Sequence, residues 1–179
     1  MKLLRTIALD PSDTFVFNVP ADPGDWAVSG AFRFCDRDPA KLSGKDRSAF
    51  RNGFLGVRSW GWSTLVQIVH ATEDDRRAVV ELLARQLVDR FGAPDPAAAQ
   101  LAAEEEVAFA QSLCTHHIGA LIAVHRSASD GDVRESFRRL QLRDGQRHGN
   151  AFSFMEIEDG TEPDDDLRLA NLSEEQRRR

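Results

Sequence analysis

Two stretches of helical period stand back to back in the middle of this chain, and this restricts the fold more than any other feature. Thr72, with Asp75 three residues on, forms an approximate capping box; Val80, Leu83, Ala84, Leu87 and Phe91 then recur at helical spacing until Gly92. Asp95-Pro96 supplies an N-cap followed by proline at the first helical position, and Ala98, Leu101, Ala102, Phe109 and Leu113 carry a second helix to about His117. A three-residue linker makes the two helices antiparallel neighbours. A doubly wound nucleotide fold needs strands and helices in alternation, so this order argues against one.

On either side of the helix pair the pattern is that of strands. Residues 2–9, 14–19 and 26–34 are rich in β-branched and aromatic side chains, with turn clusters at Asp10-Pro11-Ser12-Asp13 and around Pro20 to Gly24 between them. In the third run, Trp26, Val28, Gly30, Phe32 and Phe34 alternate with Ser29, Arg33 and Cys35, which predicts a half-buried antiparallel strand. Residues 36–49 read as polar and irregular. Strands are predicted at 53–59 and 63–71, with Trp60-Gly61-Trp62 as a hairpin joint, and after the helices at 121–126, 133–142 and 151–158, the last two linked by a Gly145 to Gly149 turn. The reading is a single α+β domain over residues 1–159, a mostly antiparallel sheet with two consecutive helices packed on one face. Residues 160–179 are expected to form a charged, mobile tail, since Glu156 to Asp166 holds seven carboxylates and no base before the chain closes on three arginines.

A chain of 179 residues is long enough to bury a core without disulfides or a structural metal. Two cysteines without close partner spacing, and no apolar leader with a cleavage site, point to the cytoplasm. The longest apolar runs, such as Ile118 to Val124, fall far short of the roughly 20 residues that span a bilayer, so no membrane partner is expected. A net charge of −6 disfavours nucleic acid. Locally the sign reverses: Arg33, Arg37, Lys41, Lys45, Arg47, Arg51 and Arg58 face only three carboxylates between residues 33 and 58. Such a loop either meets an acidic partner or balances its neighbours as a solvated surface.

The common nucleotide and nucleophile motifs are missing. Gly44-Lys45 resembles the end of a P-loop, but Pro39 stands where the first glycine belongs and Asp46 replaces the hydroxyl residue that reaches Mg²⁺. There is no GxGxxG or GxSxG. The run Cys114-Thr115-His116-His117 looks like a ligand cluster, yet on a continuing helix Cys114 and His116 point roughly 160° apart, too far to share a metal. Histidine at a helix C-terminus complements the exposed carbonyls, and Cys114 can serve as a small buried hydrophobe. The alternative is that His116 meets His70, at the end of the strand before the helices, and His125, in the strand after them, in a metal or acid-base site.

Two other constellations invite a binding role. Trp60 and Trp62 on a turn either anchor a partner or fold back over the sheet edge. Arg134 and Arg138 share strand parity and could line an anion site, although Asp132 and Glu135 nearby also suit ordinary surface pairing.

The runs Met1 to Ile7, Asp10 to Phe17, Gly24 to Phe32 and Arg58-Ser59-Trp60-Gly61-Trp62 resemble a bacterial family of about this length known only as a domain of unknown function. That family is loosely associated with maturation genes of molybdenum-dependent, formate-dehydrogenase-like enzymes. The resemblance implies an accessory role and offers no catalytic residues. The expectation is therefore a non-catalytic cytoplasmic accessory protein without a cofactor, meeting a protein partner through Trp60, Trp62, Arg51 and Arg58. A small metal-dependent or acid-base enzyme built on His70, His116 and His125 is the alternative.

Overall fold

In the computed structural model, residues 1–128 and 132–140 are described in full and 129, 141 and 156–158 as backbone. Strand β1 (Lys2–Ile7) runs through the sheet interior, pairing on one side with β2 (Trp26–Val28) and on the other with β5 (Leu65–His70). Beyond β2 lie β3 (Phe54–Gly56) and β4 (Trp62–Ser63); beyond β5 lie β6 (Leu121–Ser129), β7 (Asp132–Gln141) and β8 (Glu156–Glu158). The order is β4-β3-β2-β1-β5-β6-β7-β8, and every ladder is antiparallel. This is an α+β single-domain arrangement, as the order of the elements predicts. The predicted 145–149 turn, residues 151–155 and the tail lie outside the described residues.

The helix pair forms where its caps place it. Helix α3 (Glu73–Phe91) starts on a complete capping box, with Asp75 N–H donating to Thr72 Oγ1 at 3.1 Å and Thr72 N–H to Asp75 Oδ2 at 2.9 Å, and stops at Gly92. Helix α4 (Pro96–Ser112) starts on Asp95, which accepts from Ala98 N–H at 2.8 Å. The two pack against each other and α4 touches β1 and β2, so Val79, Val80, Leu83 and Leu87 of α3 and Ala99, Ala103, Val107 and Ala110 of α4 are buried. The small residues of α4 allow its backbone to approach closely.

Helix α4 ends five residues before the predicted limit at His117. The Lys2 ammonium donates to the carbonyls of Cys114 at 3.2 Å and His116 at 2.6 Å, taking acceptors that another helical turn would need. The chain then joins the sheet, with Gly119 N–H bonded to Ile68 O and Ile68 N–H to Ala120 O.

Three further segments differ from expectation. Residues 12–16 form a short helix, α1 (Ser12–Val16), whose Asp13 carboxylate accepts from Thr64 Oγ1 at 2.5 Å, instead of a strand over 14–19. The strand predicted over 26–34 stops at Val28. Gly30 turns the chain through a left-handed φ of 75°, where an added Cβ would lie 2.5 Å from that of Leu55, and residues 31–34 continue as a 3-10 turn. Residues expected to be irregular contain helix α2 (Gly44–Asn52), anchored by buried Ala49 and Phe50 and in contact with β6.

Candidate functional site

Where the 3-10 turn, α4 and the β6–β7 pair meet, one polar cluster is buried. Arg126 on β6 is fully buried, and all five of its N–H donors are used. Nε donates to Glu135 Oε1 at 2.6 Å, Nη1 to the carbonyls of Phe50 and Gly53 at 3.0 and 2.7 Å, and Nη2 to Ser29 O and Oγ at 2.5 and 3.0 Å. Ser29 Oγ passes its own proton to Glu135 Oε1 at 2.6 Å. The guanidinium thus joins the end of α2, the 29–30 turn and β7. With every donor engaged it is a fastening, with nothing left over for a ligand.

Glu106 on α4 sits beside this cluster and differs from it. Its Oε1 accepts from Gly30 N–H at 2.8 Å, the hydrogen bond that the described residues supply to this carboxylate. Burial, and secondarily the negative charge of Glu135, raise its pKa above the ordinary carboxylate value, against the opposing effects of the Gly30 N–H and Arg126. Glu106 also lines a groove of about 620 Å³ between the C-terminal end of α3 and the face of α4 that runs from Ala98 to Phe109. Phe32, Leu87, Phe91, Ala99 and Phe109 form its apolar walls, with Glu105 as a second carboxylate. Phe32 reaches the groove because Gly30 turns the chain, and its ring meets Phe91 edge-on at 5.4 Å. Phe91 and Phe109 are each 38% exposed, so the groove has an open apolar rim. An apolar cleft with one convergent polar group of perturbed pKa suits a ligand that buries hydrocarbon and presents a cation or N–H to the carboxylate.

The residues singled out from the sequence fall elsewhere. Trp60 and Trp62 are only 7% and 6% exposed, which corrects the expectation of an exposed tryptophan anchor. Trp60 takes a left-handed φ of 57°, and Gly61 packs directly beneath the Pro20 carbonyl, where any side chain would collide. Backbone bonds from Trp62 N–H to Val19 O and from Ala21 N–H to Trp62 O draw the turn under residues 19–21. Phe34 then stacks on Trp62 at 5.3 Å, while the Arg33 guanidinium lies over both indoles at 5.1 and 5.3 Å. The pair is core.

The histidines do not converge, which corrects the proposed triad. In the β5–β6 register Leu65 faces Ala123, so His125 lies level with residue 63, seven positions from His70 and about 23 Å along the sheet. His116 is held at the His70 end, since Lys2, the partner of His70, grips its carbonyl. Among the described residues no group of three His, Cys, Asp or Glu could hold a metal ion. Cys114 donates to Ala110 O at 3.5 Å, and burial pushes its thiol up to about 11, so it is a small core residue and no nucleophile at neutral pH.

Among the arginines, Arg58 is exposed, its guanidinium 3.9 Å from Asp22. Arg51 is exposed on α2. Arg134 and Arg138 face Ser127 and Ala123 across β6, four positions apart and therefore about 13 Å along the strand. Glu106 and Arg126 are not among the residues that the sequence motifs single out. Their positions nevertheless carry a signal: Glu106 continues the inward stripe Ala99, Ala103, Ala110 of α4, and Arg126 shares the inward parity of Ile122 and Val124. A charge on a buried stripe marks a position that needs a partner.

No curated protein and no solved structure matches the chain. A family model does match, over residues 1–153, and it carries the description "family of unknown function". The chain belongs to that family, DUF6505.

Proposed function

We propose that this chain is a non-catalytic accessory protein of the bacterial cytoplasm that holds an apolar, base-bearing segment of a protein partner in the groove between α3 and α4. The observation that carries this reading is the open apolar groove with the Glu106 carboxylate in its wall. A partner helix or loop would set one or two large apolar side chains against Phe32, Phe91 and Phe109 and place a lysine or arginine at Glu105 and Glu106. The unpaired, exposed thiol of Cys35 suits a reducing compartment. The partner we propose is a maturation factor or subunit of a molybdenum-dependent oxidoreductase, supported by the resemblance carried by residues 1–7, 10–17, 24–32 and 58–62.

Photo-crosslinking from within the native cell tests the reading. Benzoylphenylalanine in place of Ala102, on the groove, should give one discrete protein adduct that disappears when Phe109→Asp is added; the same label in place of Glu73, at the far end of α3, should not give it. No adduct from position 102, or the same adduct from position 73, overturns the proposal.

A further inference from the structure

A second cavity, of about 270 Å³, opens between α2 and the outer end of β6, and its walls include Arg47, Phe50, Arg51, Arg126 and Ser127. Arg47 and Arg51 are four residues apart on α2, so they rise from one helical face. The carboxylates around them are already committed. Asp46 pairs with Arg37 at 2.6 Å, Asp38 lies 3.3 Å from Lys41, and Glu135 is bound to Arg126. Among the described residues no carboxylate pairs with Arg47 or Arg51. Arg47 is held by its Nε, which donates to Leu42 O at 2.9 Å, and this leaves both terminal amino groups of its guanidinium for another acceptor.

We infer that this cavity is a binding site for a small dianionic oxyanion, of the phosphoryl type, carried on a compact molecule. Two guanidiniums from successive helical turns can each present two parallel N–H donors to phosphoryl oxygens, a geometry that lysines could not reproduce. Phe50 supplies an apolar wall for a short carbon skeleton. The volume limits the ligand to a few heavy atoms beyond the anion. The site is independent of the α3–α4 groove and uses different residues.

Titration of the full chain with inorganic phosphate, and separately with glycerol phosphate, tests the inference. Ionic strength is held constant with sodium chloride while backbone amide resonances are followed. Saturable shifts are expected at residues 47, 51 and 127, with affinity reduced about tenfold in Arg47→Gln and in Arg51→Gln and unchanged in Arg58→Gln. Tighter binding of glycerol phosphate identifies an ester as the ligand; equal binding identifies the free anion. Arg51→Lys, which keeps the charge and loses the fork, should bind more weakly than wild type. Shifts that do not saturate, or binding that persists in both glutamine variants with their spectra otherwise native, overturn the site.

Discussion

Arg126 and Glu135 face one another across the β6–β7 ladder with Nε 2.6 Å from Oε1, the arginine fully buried and the glutamate side chain 17% exposed. This pair closes the sheet against α2 and the 29–30 turn.

Arg126→Met should destabilise the protein by about 3 to 5 kcal/mol in urea unfolding, because it strands the Glu135 charge and removes the donors from three carbonyls. Adding Glu135→Leu to that variant should recover part of the loss, since the uncompensated charge goes with it. A double variant as unstable as the simple sum would show that the two residues act separately.

Glu106 gives the stability a specific pH dependence. Its pKa is raised on folding above the ordinary value of 4.5, so the folded chain favours the protonated form. That contribution is full below the unfolded pKa and is lost as pH rises through the folded one. Glu106→Gln keeps an acceptor for Gly30 N–H and cannot ionise. The stability of the variant relative to wild type should therefore rise from pH 4 towards neutrality. A difference that stays flat across that range would contradict the burial of the charge.

Gly30→Ala combines a left-handed φ of 75° with a Cβ placed 2.5 Å from that of Leu55. It should cost at least about 2 kcal/mol, read as a lowered thermal midpoint. Because Gly30 also sets Phe32 and donates to Glu106, the same variant should lose the groove adduct before it loses its helical circular dichroism.

The two thiols should separate cleanly towards an aromatic disulfide reagent at pH 8. Cys35 is exposed and should react at once, whereas Cys114, buried and with its thiol pushed up to about 11, should react only on unfolding. Two fast thiols in the native protein would contradict the position of Cys114 beneath the Lys2 clamp.

How much of this could be read from the sequence depended on how local the determinants were. Helices α3 and α4 announce themselves through caps and 3.6-residue spacing, so their starts and the end of α3 agree with the pattern. Helix α2 buries only Ala49 and Phe50, too few apolar positions to register a period. The alternation over 26–34 is genuine but is overruled by Gly30, which turns against Leu55 from another strand. The burial of Trp60 and Trp62 follows from the bridge to Pro20, forty-two residues before Trp62, and the separation of His70 from His125 from strand register; neither is a local property. Glu106 could have been found, since its inward position on α4 is encoded in the spacing of the alanines.

The grip of Lys2 on the carbonyls beyond α4 means that the first strand of the sheet also terminates the last helix. Fraying at that helix end therefore requires the ammonium to let go, and loss of β1 from the sheet exposes the same carbonyls. Native-state hydrogen exchange should report the C-terminal turn of α4 and the β1–β5 ladder opening as a single cooperative unit, despite more than a hundred intervening residues.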